Sequence, residues 1–353
     1  MAKVLSLFSG SLASRVATRI VEQHPDVDCV YLLYFRSPFS REFEDLRQLV
    51  KTEWPHAIFR TQSIKKEYRR LVEITDEGEF SLSLSCYNCR SLLFAKAARY
   101  MERIGAEYIV SGDLPGANQL TARQLQGIAE SLGVANRILR PLCAGASRRR
   151  AHGLEKWLDR DQDGKRSRSS RAALMKLAGD VGLEVRDPLA CCHRCKLMTP
   201  GFGERVASLF GEAGFTLNAL HLLDFPLYYK VYPDVKIVVA RDEGEKRDLQ
   251  NLFLPQDLRV YPATPHGPMT LVRTSWGEKT RDEQQTIVGL AARITATFAD
   301  PRRTEPVPIY YRLENEDETL LLNTSPFESP AEIAQLESVE MIPLAAGHEV
   351  PVG

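Results

Sequence analysis

The chain has 353 residues, 44% of them hydrophobic and 26% charged. That composition excludes intrinsic disorder as the main state, and the length asks for two domains at about 100–200 residues each. Lys plus Arg equals Asp plus Glu at 46 each, so only local patches can speak for or against nucleic acid.

Residues 3–8 (KVLSLF) read as a buried strand, followed by a small-residue turn and an amphipathic helix from Leu12 to Glu22. A second buried strand is expected at 27–34, a helix from Arg41 to Thr52 and a third strand at 58–62. The pattern at Arg90 to Ile104 is strongly helical, and 106–113 reads as strand and turn. This alternation predicts a doubly wound parallel sheet with helices on both faces. A stretch rich in arginine and serine, 144–171, interrupts it. Beyond it a strand pair turns at Pro233-Asp234, then come the strand MTLVRT, a helix from Thr280 to Phe298 and the strand PIYYRL. These make a second, smaller α/β unit. The expected limits are 1–205, 206–325 and a poorly ordered tail over 326–353. No run of about 18 apolar residues occurs, so no membrane contact is expected, and the N-terminal residues lack a secretory pattern, so a cytoplasmic location is expected.

Two features carry chemistry. The strand running into Ser9-Gly10-Ser11-Leu12-Ala13-Ser14 and then a helix points backbone amides and a helix dipole at one place, a geometry that suits phosphate. A simple N-cap at Ser9 explains the same residues. The second feature is cysteine. Cys86 and Cys89 form one C-x-x-C, and Cys192 and Cys195 another, in a chain whose seven cysteines are expected to be reduced thiols. Such pairs signal a metal, and composition leaves zinc and an iron–sulfur cluster both open. Cys29 and Cys143 read as small buried hydrophobes.

The ordered set of motifs resembles the PP-loop ATPases of the tRNA thiolation family, the 4-thiouridine synthetase-like branch. The set is the turn at Ser9–Ser14, the C-x-x-C before a helix, Ser111-Gly112-Asp113, the basic run 165–171, and Cys195 ahead of Pro200-Gly201-Phe202. The resemblance covers about the first 205 residues and implies an adenine nucleotide alpha hydrolase-like fold. It also implies ATP with magnesium, a 4Fe-4S cluster on Cys86, Cys89 and Cys195 with Cys192 as an extra ligand, and tRNA as partner. A uridine carbonyl would be adenylated and sulfur inserted. The amides of Gly10 to Ser14 would hold pyrophosphate, Asp113 and Gly112 would lie by the nucleotide, and Gly116 to Arg123 would complete the pocket. Two positions depart from the pattern. Ser11 stands where the second glycine would be, and Ala13, in the acidic position, has no oxygen for magnesium. The alternative is therefore a member that binds nucleotide or RNA without turning over ATP, with a structural metal.

The later segments VKIVVARDEGEKRDL and PHGPMTLVR resemble, more loosely, an RNA-associated module of ribosome quality-control proteins. Lys236, Arg241, Lys246 and Arg273 are its candidate phosphate contacts. Arg148–Arg150 and Lys165–Arg171 form the concentrated basic region, read equally well as a tRNA-steering patch or a solvated loop. The sulfur donor and a homodimer are left open.

Overall fold

In a computed structural model, the structure describes residues 2–40, 44–114, 119–143, 171–185, 195–210, 215–231, 233–264, 266–299 and 306–344. The chain divides into two compact units, residues 1–203 and 204–346. Among the described residues no helix is long and apolar enough to cross a membrane.

The first unit is a five-stranded parallel sheet in the order β3-β2-β1-β4-β5, with β1 Ala2–Leu7, β2 Val27–Arg36, β3 Ile58–Ser63, β4 Tyr108–Ser111 and β5 Ile138–Leu139. Its central strands are near-continuous apolar runs because both faces are covered. On one face, helices α1 (Leu12–Glu22) and α2 (Glu44–Glu53) and the later helix 171–180 pack Leu12, Val16, Leu46, Val50, Leu174 and Ala178 against Val4, Leu32 and Val110. Trp54, just past α2, meets Phe8 edge-on at 5.0 Å between centroids. After a short α3 (Tyr68–Leu71), helices α4 (Leu82–Ile104) and α5 (Ala122–Ser131) cover the other face with Phe94, Ala97, Met101, Leu125 and Ile128. The one polar side chain in the middle of β1, Ser6, is satisfied by the Thr18 hydroxyl at 2.7 Å. In this topology the chain leaves β1 and β4 in opposite directions across the sheet, which opens a crevice at their carboxyl ends.

Helix α4 starts earlier than the sequence pattern suggests. The serine-rich lead-in is a poor helix former. Yet Ser81 caps the helix by accepting from the Leu84 amide, so Cys86 and Cys89 lie inside α4 rather than ahead of it.

The division between the units falls inside α7 (Phe202–Phe210), which follows α6 (Arg171–Asp180). The second unit continues with α8 (Leu217–Leu222), β6 (Leu227–Val231), β7 (Val235–Ala240), α9 (Glu243–Gln250), β8 (Leu258–Pro262) and β9 (Met269–Arg273). It ends with α10 (Arg281–Ala299), β10 (Val307–Leu313), β11 (Leu320–Thr324), α11 (Pro330–Ile333) and β12 (Val339–Glu340). Its seven-stranded sheet, in the order β11-β10-β8-β9-β7-β6-β12, is antiparallel at every recorded pairing. Helix α10 lies across one face, where Ile287, Ala291 and Ile294 share a core with Ile237, Val239, Val260, Val272 and Ile309.

The expectation of a poorly ordered tail from 326 is corrected for residues up to 344. Phe327 and Ile333 are buried, the Phe327 amide donates to Thr297 Oγ1 at 3.0 Å, and β12 pairs with β6. Three spaced apolar side chains, Phe327, Ile333 and Val339, outweigh a polar composition there. The fully buried Arg205 holds the same segment. Its guanidinium donates to the carbonyls of Ile342, Leu223, Phe225 and Pro226 at 2.6–3.0 Å, and burial lowers its pKa to about 10. Arg205→Leu strips the donors from buried carbonyls, so chemical denaturation should show a loss of about 2–4 kcal/mol. A change below about 0.5 kcal/mol would show that these bonds add nothing.

Candidate functional site

The crevice of the first unit is built by two loops in backbone contact. After β1, Gly10 takes the left-handed turn at φ 76°, and Ser11, at φ −64° and ψ 155°, caps α1 by accepting from the Ser14 amide. The serine in place of a second glycine is thus free of strain, because Gly10 alone carries the positive φ. Ser9 Oγ lies 3.0 Å from Ser11 Oγ and 3.2 Å from Ser14 Oγ, and Ser14 Oγ donates to the Ser11 carbonyl at 2.9 Å. After β4, Gly112 presses on this turn. A Cβ there would stand 2.7 Å from the Ala13 carbonyl and Ser14 Cα, so only glycine fits.

Asp113 follows, 5% exposed. Its Oδ1 meets Arg90 Nη2 at 2.8 Å, its Oδ2 accepts from the Ser111 hydroxyl at 2.7 Å, and its carbonyl accepts from the Cys143 thiol at 3.1 Å. Arg90 and Arg140 both stand against the Phe94 ring, at 5.6 and 5.7 Å. Arg140 donates to the Leu125 carbonyl at 2.9 Å, while its buried Nε finds no acceptor among the described residues. Burial lowers the Arg140 pKa, against the opposing pull of Asp113 and Cys143. Sequence reasoning missed Arg90, Arg140 and Cys143. Arg90 directly follows the C-x-x-C. The other two follow β5, a strand of only two residues that the pattern could not reveal. Of the stretch expected to complete the pocket, Gly116–Asn118 lie outside the described residues, and Arg123 is exposed near the start of α5.

The donor set does not fit magnesium. Ala13 offers no side-chain oxygen, and the Asp113 carboxylate is spent on Arg90 and Ser111.

The three expected cluster cysteines are brought toward one another. Cys86 and Cys89 are one helical turn apart on α4, and Cys195 sits in an isolated bridge with Ser40. Burial and then the neighbouring Cys89 push the Cys86 thiol up to about 11. Burial, then Cys89, push Cys195 up to about 12. Soft thiol donors suit iron–sulfur or zinc. Yet among the described residues no three or more His, Cys, Asp or Glu are grouped to hold a metal ion, and Cys192 lies outside them. The basic residues Arg148–Arg150 and Lys165–Arg168 lie outside them too.

In the second unit Arg273 is not an open phosphate contact. Its guanidinium bridges both oxygens of Asp257, Asn218 Oδ1 and the Leu252 carbonyl at 2.6–2.9 Å. Lys246 pairs with Glu243 at 2.7 Å, Arg241 is exposed, and Lys236 is half-buried on β7. The sheet face turned away from α10 carries a feature the sequence reading did not single out. Tyr261 on β8 and Tyr310 on β10 are cross-strand partners with ring centroids 5.8 Å apart. Arg259 opposite Arg312 comes next, and Leu321, 55% exposed, lies beside Tyr310 on the edge strand β11. Glu314 pairs with Arg259 at 2.8 Å. The signal was available in the alternation of LRVYP and PIYYRL, whose odd and even positions face opposite ways.

Residues 228–335 match a family model described as the NFACT protein RNA binding domain. No curated protein matches. Among solved structures, the C-terminal part of the fibronectin/fibrinogen-binding protein from Streptococcus suis is similar at 12% identity and a TM-score of 0.26, covering 44% of this chain and 70% of that one. A 4-thiouridine synthetase, solved in complex with RNA and bound ATP, is similar at 22% identity and a TM-score of 0.35, covering 51% of this chain and 41% of that one. At these scores neither likeness bears on activity.

A thiolate is the form that alkylates. Iodoacetamide labelling of Cys86 and Cys143, read by mass spectrometry, should therefore rise with pH to a midpoint near 11 for each. A midpoint at or below the free-thiol value of about 8.5 would contradict the burial described here.

Proposed function

We propose that this chain is an RNA-binding protein whose first unit adds a nucleotide-type crevice. The observation that carries the proposal is the match of residues 228–335 to an RNA-binding domain model. The geometry that supports it is the tyrosine pair. Two neighbouring rings on a sheet face offer a platform on which unpaired bases stack, and Arg312 lies beside them for the backbone. In this reading the RNA is a transfer RNA bound through unpaired nucleotides, and the crevice at the ends of β1 and β4 takes the phosphates of a nucleotide.

One observation favours a second reading, sulfur transfer to a tRNA uridine. It is that Cys89 raises the thiols of both Cys86 and Cys195, and Cys86 that of Cys195, as neighbours would. Iron and acid-labile sulfide in anaerobically purified protein, with 4-thiouridine formed from ATP and tRNA, would establish that reading in place of simple binding.

The first reading is tested by fluorescence anisotropy with labelled single-stranded RNA and with tRNA. A stacked base is worth about 1–3 kcal/mol, so Tyr261→Ala and Tyr310→Ala should each weaken binding about tenfold with the fold retained. Arg273→Lys should disturb stability rather than affinity. Unchanged affinity in both tyrosine variants would remove the sheet face as the RNA surface.

A further inference from the structure

The Arg90–Asp113 pair changes what the crevice can bind. A nucleotide site of an open α/β sheet must supply positive charge for the phosphates, and a divalent cation on a carboxylate is the usual supply. Here the carboxylate is buried and held by Arg90 at 2.8 Å and by Ser111 at 2.7 Å. Ala13 adds no second ligand. A metal ion would have to displace a guanidinium from a buried ion pair, and breaking such a pair leaves an uncompensated charge. Yet the crevice is not short of positive charge. Arg90 and Arg140 flank one carboxylate at the Phe94 ring, an excess of one cation, and the buried Nε of Arg140 has no acceptor among the described residues. The first turn of α1, at Ala13 and Ser14, lies against Gly112, next to Asp113, and brings backbone amides to the same place.

We infer that the crevice binds the polyphosphate of a nucleotide without a divalent cation, Arg90 and Arg140 standing where the metal would be. This rests on the nucleotide-type crevice proposed above and adds the source of its charge. It also separates the site from adenylate chemistry, in which a metal draws charge from the leaving pyrophosphate.

The experiment is calorimetric titration of ATP into the full chain, once in excess EDTA and once in excess magnesium chloride. Affinity in EDTA at least equal to that in magnesium is expected, since magnesium in excess holds the phosphate oxygens that the arginines would otherwise take. Arg140→Gln should weaken binding in EDTA about tenfold, the worth of a charged hydrogen bond. Asp113→Asn, which removes the one negative charge and frees Arg90, should tighten it by about threefold or more. Asp113→Asn also avoids the unpaired carboxylate that Arg90→Gln would leave. Binding seen only with magnesium, binding lost in Asp113→Asn, or no ATP binding in either buffer would each overturn the inference. RNA affinity, measured on the same preparation without ATP, reports separately on the second unit, so failure at the crevice and failure of the RNA reading are told apart.

Discussion

A carboxylate taken out of water must be paired, because an isolated buried charge costs several kcal/mol. Asp113 is such a carboxylate, and the site of the first unit follows from how it is paired. It lies just past β4, reached through Gly112, whose missing Cβ lets the β4 loop rest on the β1 turn. Arg90 comes to it from α4, Ser111 from its own strand and Cys143 from the end of β5. Helix α4, both central strand ends and the short fifth strand are thereby tied at one point, the point where the topology opens its crevice. The same pairing removes the oxygens a metal would need. Structure and chemistry are set together by one ion pair.

The second unit uses its sheet differently. One face is given to α10 and to apolar packing, with the buried hydroxyls of Thr270 and Thr295 bonded to each other at 2.7 Å. The other face carries tyrosines, arginines and an exposed leucine. That face is buried over β7 and β9, where Val238 and Leu271 have no exposure, while the tyrosines, Arg312 and the exposed Leu321 stand on β8, β10 and the edge strand β11. Several cations there serve the fold. Arg273 and Arg205 are locked by carboxylate and carbonyl oxygens, and Arg259 leans on Glu314 and on the Phe253 ring at 4.2 Å. The aromatic pair is therefore a better marker of the RNA surface than the count of basic residues.

The strands and helices of the first unit were legible in the sequence where patterns were long. KVLSLF, VDCVYLLY and the helix after Ser11 stand close to where periodicity put them. The start of α4 was not, because its first turns are serine-rich and are fixed by a cap rather than by propensity. Nor was β5, whose two residues carry no period. In the second unit the antiparallel order was hidden, since register arises from pairing between distant strands. The motifs Ser9–Ser14 and Ser111–Asp113 could be named from sequence as one candidate site. What they lacked was Arg90 and Arg140, which enter through tertiary contact and make Asp113 an ion-pair partner.

The most direct test of the account is ultraviolet crosslinking of the full chain to RNA, with the crosslinked peptides mapped by mass spectrometry. The account predicts crosslinks within residues 228–335, on the peptides that carry Tyr261 and Tyr310. Crosslinks confined to residues 1–203, or none above those of a protein that does not bind RNA, would contradict it.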